Sequence, residues 1–231
     1  MIVCWTDMPR PEVLILGNSH AAALVEGAAR LGVNVAGGMI ARGRELNRDF
    51  ADFDGADFTF RDAEADARYR RVLAAAGAPR AAEISCPVVC NFGTNLPYLS
   101  RRPHWEGVRF ISQSALEALH AHLNEGALDF VRQLTGLGLK VYLPIGPRRC
   151  AAAGARSLFL RLEPILAAQA AQAGAEVVDI SELTADEQDL LPDYRQPDDE
   201  AHGNGLFGEL MLQAILARST PDAGSASPRT S

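Results

Sequence analysis

A small set of polar residues, drawn from both ends and the middle of the chain, has the types needed to cleave an ester. Ser19 stands in VLILGNSHAAAL, where four apolar residues run into Gly-Asn-Ser-His and then into alanines. A serine hydroxyl attacks a carbonyl only with a base beside it and a third group to orient that base. In PDDEAHGNG, Asp199 precedes His202 by three residues. A carboxylate at that spacing can hold one imidazole nitrogen and leave the other to accept a proton. Asn95 follows the apolar run of VVCNFGTNLP, and its amide could donate to a tetrahedral oxyanion, an interaction of roughly 3 kcal/mol of barrier. The glycines of GGMIARGREL could bring a backbone N–H to the same point. Each residue also has a plainer reading: Ser19 as a helix N-cap, Asn95 as a turn residue, Asp199 and His202 as parts of a solvated loop.

These residues could meet only if the elements between them deliver them to one edge. Short apolar or β-branched runs at 12–16, 33–37, 57–60, 87–92, 140–145 and 176–180 read as strands. Alanine- and leucine-rich stretches at 21–31, 62–76, 112–137, 151–173 and 206–218 read as helices, with a break expected at Pro164. Strands alternating with helices predict an α/β protein with a central, mostly parallel sheet covered on both faces. In such sheets ligands gather at the carboxyl ends of the strands, which is where Ser19 and Asn95 fall. The segment 57–60 is the weakest strand and could be an extended loop. The acidic run DFADFDGADF reads as a solvated connection, because its carboxylates do not follow calcium-loop spacing.

Composition narrows the classes. The 231 residues suit one domain, expected over 1–218, followed by a disordered tail at 219–231 that holds no large apolar residue. A net charge of −7 argues against a nucleic-acid partner. No run approaches the roughly 18 apolar residues of a membrane span, and no signal peptide is visible, so no membrane partner and a cytoplasmic location are expected. Cys4, Cys86, Cys90 and Cys150 lack zinc or disulfide spacing and read as free thiols. His120 and His122 lie two apart in one helix and read as surface or packing residues. No His-x-His or His-Glu-x-x-His pair supports a metal role for His20, so neither metal nor cofactor is expected.

Taken in order, the polar residues resemble the four sequence blocks of the SGNH (GDSL-type) hydrolases. Gly17-Asn18-Ser19 is similar to the first block, Gly43 to the second-block glycine, Gly93-x-Asn95 to the third, and Asp199-x-x-His202 to the last. The stretch GNSHAAAL is closest to members acting on acylated carbohydrates, where a histidine often follows the serine. The resemblance implies a three-layer α/β/α sandwich of flavodoxin-like type and metal-free acyl chemistry. It makes Ser19 the nucleophile, His202 the base and Asp199 the orienting acid, with Asp198 as the fallback acid. The oxyanion hole would be formed by the N–H groups of Ser19 and Gly43 and the side chain of Asn95. Gly37 and Gly38 are the alternatives to Gly43. Two departures stand out: Asn18 replaces the usual aspartate, and Phe207 stands where a glycine is common.

The expected function is therefore a serine esterase acting on a small-molecule or carbohydrate ester, with O-acyl transfer as the alternative. His20 is expected as a wall of the substrate pocket rather than as the base. Tyr98 and Trp105, on the rim loop at 97–105, are expected to contact substrate. A nucleotide site competes poorly, since GNSHAA lacks the Gly-x-Gly-x-x-Gly and Lys-Ser/Thr patterns. A catalytically silent binding module with the same fold is the remaining alternative.

Overall fold

Strand β1 (Val13–Gly17) lies at the heart of the molecule, every one of its residues buried. The computed structural model describes residues 9–42, 49–93, 111–149, 156–187 and 189–219. On one side β1 pairs in parallel with β2 (Val35–Met39) and on the other with β5 (Val88–Cys90). Beyond β5 follow β6 (Val141–Pro144) and β7 (Glu176–Val178), also parallel, so the order is β2-β1-β5-β6-β7. The chain steps from β1 to one side, then returns across it to continue on the other. That reversal opens a crevice at the carboxyl ends of β1 and β5, the place where doubly wound sheets bind ligands.

Alternation along β1 feeds two cores. Leu14 and Leu16 enter a core shared with α2 (Ala63–Ala75), α4 (Glu125–Gly136), α5 (Arg156–Gln172) and Leu116 of α3 (Gln113–Leu123). Val13 and Ile15 enter a second core shared with α1 (Ala21–Leu31) and α7 (Gly205–Ser219). The expected α/β class, with a parallel sheet between two helical layers, is the architecture observed. Among the described residues no helix is long and apolar enough to cross a membrane.

Helix α1 has the bounds that its alanine-rich sequence predicts, and Gly32 ends it in the left-handed conformation at φ 67°. It crosses α7 at unusually short range. A Cβ on Gly208 would stand 1.7 Å from the Ala23 carbonyl oxygen, and one on Gly27 would stand 2.3 Å from the Glu209 nitrogen. Arg30 of α1 also donates to Glu209 of α7 at 2.6 Å. The start of α1 and the start of α7, which carry the two ends of the candidate site, are held together by this crossing.

Four local expectations differ from what is found. The strand expected at 33–37 begins later and runs to Met39. The acidic run is not a mere connection: β3 (Ala51–Phe53) and β4 (Phe58–Phe60) form an antiparallel hairpin. Asp54 closes its turn by accepting the N–H groups of Ala56 and Asp57 at 2.9 and 2.8 Å. Phe58 and Phe60 then point into a ring cluster with Phe92 and Phe130. The single helix expected at 112–137 is two, α3 and α4. Asn124, with non-helical backbone angles (φ −112°, ψ 15°), separates them, and its amide donates to the His120 carbonyl and ring, both at 3.1 Å. Helix α5 runs straight through Pro164 rather than breaking. Phe159, Leu162, Ile165 and Leu166 are buried on either side of it, and their packing outweighs the lost backbone bond. The single short turn α6 (Ser181–Thr184) links β7 to the loop that precedes α7.

Candidate active site

Ser19 stands two residues past the end of β1, on the turn into α1, and is exposed. It does not cap the helix. The N-cap position falls on His20, whose side chain makes no capping bond, while the Ser19 hydroxyl points across the crevice. Its Oγ lies 2.8 Å from Nε2 of His202. The turn beneath it is shaped by Asn18, whose Oδ1 accepts the His20 N–H at 3.0 Å.

His202 arrives from the opposite end of the chain, on the loop before α7. Asn204 fixes that loop. Its Nδ2 donates to the carbonyls of Asp193 and Arg195, and its Oδ1 caps α7 by accepting the N–H groups of Leu206 and Phe207. Asp199 uses both oxygens. Oδ1 accepts the backbone N–H groups of Ala201 and His202 at 2.7 and 2.8 Å, and Oδ2 lies 2.8 Å from Nδ1 of His202. Partial burial pushes the Asp199 carboxyl upward. The two backbone donors and the imidazole outweigh that and bring it down to about 2. The group facing Nδ1 is therefore a carboxylate at any ordinary pH. That requires the proton to sit on Nδ1 and leaves Nε2 free to accept one from Ser19. Asp199, rather than Asp198, holds the ring.

His20 packs its ring on that of His202, with centroids 4.4 Å apart. Burial pushes it down to about 3; the neighbouring His202 pushes the same way and Asp199 opposes. It is therefore neutral above about pH 3. Its Nδ1 is buried with no hydrogen-bond partner among the described residues.

The other expected site residues, Gly43, Asn95, Tyr98 and Trp105, lie outside the described residues, as do Cys4, Cys150 and 220–231. Gly37 and Gly38 pair with Ile15 and Leu16, inside the sheet and below the level of the Ser19 turn. Past the end of β2, the N–H of Ile40 donates to the Gly17 carbonyl at 2.7 Å. Cys90 is a free, buried thiol, pushed up to about 12 by burial, and Cys86 is free and half-buried. Among the described residues no cluster of three His, Cys, Asp or Glu side chains is placed to hold a metal ion.

One residue of the site was missed in the sequence. Asn91, buried at the end of β5, accepts the Asn18 N–H on its Oδ1 at 2.9 Å. A polar residue closing the apolar run VVC was its only signal.

No protein-family model matches the sequence, and no curated protein matches it. Solved structures do. A GDSL-like lipase from Bacteroides thetaiotaomicron superposes with a TM-score of 0.50, at 13% identity, covering 93% of this chain and 94% of that one. A provisionally assigned acylhydrolase from Bacteroides fragilis gives 0.48 at 16% identity, covering 92% of each chain. A mutant form of an acetyl-xylooligosaccharide esterase from Geobacillus gives 0.45 at 12% identity over 90% and 93%. At these identities the likeness is one of fold: the chain has the α/β/α fold of the GDSL-like, or SGNH, hydrolases.

Proposed function

We propose that the protein is an SGNH-type serine esterase that cleaves a small O-acyl ester through an acyl-enzyme on Ser19. The observation that carries this reading is the unbroken relay from Ser19 Oγ to His202 Nε2 and from His202 Nδ1 to Asp199 Oδ2, each step 2.8 Å. These two distances between residues far apart in sequence support acyl transfer through Ser19.

The steps follow from the groups present. Oγ of Ser19 bonds to the ester carbonyl carbon as its proton moves to Nε2 of His202. The carbonyl π pair becomes an oxyanion, which the family resemblance assigns to the N–H groups of Ser19 and Gly43 and the amide of Asn95. Collapse breaks the bond to the leaving alkoxide, which takes the proton from Nε2 and departs as an alcohol. Water, deprotonated by the same nitrogen, then opens the acyl-enzyme, releasing a carboxylic acid and restoring the Ser19 hydroxyl. Asp199 stays ionised throughout and stabilises the transient imidazolium. Gly43 is the proposed second-block donor, as the resemblance implies; Gly37 and Gly38, the alternatives, pair with Ile15 and Leu16 inside the sheet. His20, Tyr98 and Trp105 are proposed to line the substrate. An ester on a carbohydrate or secondary metabolite is the favoured class, supported by the GNSHAAAL resemblance.

Incubating the protein with a fluorophosphonate probe and with p-nitrophenyl acetate tests the reading. Labelling should map to Ser19, and Ser19→Ala and His202→Ala should each abolish turnover. Labelling elsewhere, or full turnover by Ser19→Ala, would overturn it.

A further inference from the structure

We propose that Asn18 and Asn91 form a buried amide clamp that positions the Ser19 turn, and that the clamp works only with an amide, not a carboxylate, at residue 18. The proposal rests on the reading of Ser19 as nucleophile, and it concerns two residues that act through the turn rather than touching the reacting atoms.

Both residues are almost fully buried, at 1% and 2% exposure. They stand across the crevice where the strand order reverses, Asn18 just past β1 and Asn91 just past β5. Two bonds join them: the Asn18 N–H donates to Asn91 Oδ1 at 2.9 Å, and Asn18 Nδ2 donates to the Asn91 carbonyl at 3.2 Å. A third bond fixes which way the Asn18 amide faces, because its Oδ1 accepts the His20 N–H at 3.0 Å. Asn91 also presses on Gly17, where an added Cβ would lie 2.3 Å from Asn91 Oδ1. The residues on both sides of Ser19 are thus tied, directly or through Asn18, to the end of the strand that leads to Gly93 and Asn95.

The chemistry of residue 18 follows from that orientation. An aspartate there would keep the bond to the His20 N–H with one oxygen. Its other oxygen would face the Asn91 carbonyl oxygen, with no proton between two acceptors in a buried place. Desolvation and the facing carbonyl then favour the protonated acid, whose O–H can donate where Nδ2 now does. Asn18→Asp should therefore be impaired when ionised and repaired by protonation, the reverse of what simple loss of packing would give. Titratable side chains on the surrounding elements are His20 on the turn itself, His202 and Asp199 on the loop before α7, Cys90 on β5 and Arg42 after β2. All are present in both proteins, so the comparison is variant against wild type at each pH.

The test uses full-length wild type, Asn18→Asp and Asn91→Ala, read by the rate of fluorophosphonate labelling, by kcat and KM for p-nitrophenyl acetate, and by urea unfolding. At pH 8 both variants should label and turn over at least about tenfold more slowly, with KM changed less than about twofold. Between pH 8 and 5 the deficit of Asn18→Asp relative to wild type should shrink in labelling and in unfolding, while that of Asn91→Ala stays constant. Wild-type labelling and turnover by Asn18→Asp at pH 8, or a deficit independent of pH, would overturn the clamp. If wild type itself does not label at Ser19, the esterase reading fails. The clamp is then judged by the unfolding comparison, where a pH-independent deficit refutes it.

Discussion

Gly27 of α1 and Gly208 of α7 meet backbone to backbone, and neither has room for a methyl group. The contact sets how far the helix that begins beside Ser19 stands from the helix that begins beside His202. The expected result of Gly208→Ala is a loss of about 1–3 kcal/mol or more in urea unfolding, since the new methyl meets rigid backbone. Turnover should fall further than stability explains, because a displacement of about 1 Å at the base can cost on the order of a hundredfold in rate. Wild-type turnover in this variant would show that the crossing does not position the site.

Asp199→Asn should be far more damaging than the loss of one charge. Oδ1 is held by two backbone donors, so the new amide must turn its NH2 group toward Nδ1 of His202. The ring then accepts on Nδ1, carries its proton on Nε2, and cannot take one from Ser19. A fall in kcat of about 10⁴ with little change in KM is expected at neutral pH. A loss below about tenfold would mean that the ring tautomer is set elsewhere.

Asn95→Ala should lower kcat by about 10²–10³ and leave KM nearly unchanged, as expected when a donor meets charge that exists only in the transition state. Steady-state kinetics with p-nitrophenyl acetate reads this directly. A rise in KM with kcat preserved would instead place Asn95 in ground-state binding.

His20 makes the fold sensitive to acid. In the folded chain its ring stays neutral down to about pH 3, whereas an unfolded histidine takes its proton near 6.5. Between those values the unfolded chain binds more protons, so stability is fully present above about 6.5 and drains away as pH falls toward 3. His120, also lowered by burial and hydrogen-bonded to Gln169, acts in the same direction. Replacing His20 by Phe should make urea-unfolding stability fall less steeply between pH 7 and 4. An unchanged slope would show that His20 does not titrate with unfolding.

Where local signals agreed with burial, the sequence was readable. Alanines followed by Gly32 define α1 to the residue, and the apolar run before Ser19 is the central strand. The Asp199–His202 spacing alone also fits a solvated loop, and it was the order of the blocks, starting from Ser19, that singled the pair out. Failures came where tertiary contacts overrode a local rule. Pro164 breaks an isolated helix, but not one buried along Phe159, Leu162 and Leu166. The strand expected at 57–60 is present as β4, but its partner β3 was obscured by the aspartates around it, although Asp54 builds the turn of the hairpin. Asn91 was invisible for a different reason. Its importance lies entirely in Asn18, 73 residues away, and no local pattern reports such a partner.

The proposed nucleophile and base are 183 positions apart in a sequence of 231 residues. A growing polypeptide carries Ser19 long before His202, and cannot use it until α7 has been made and has docked against α1. Reactivity then arrives as the closing event of folding rather than as a property of any segment. Fraying of α7 alone would silence the protein while the sheet stayed intact.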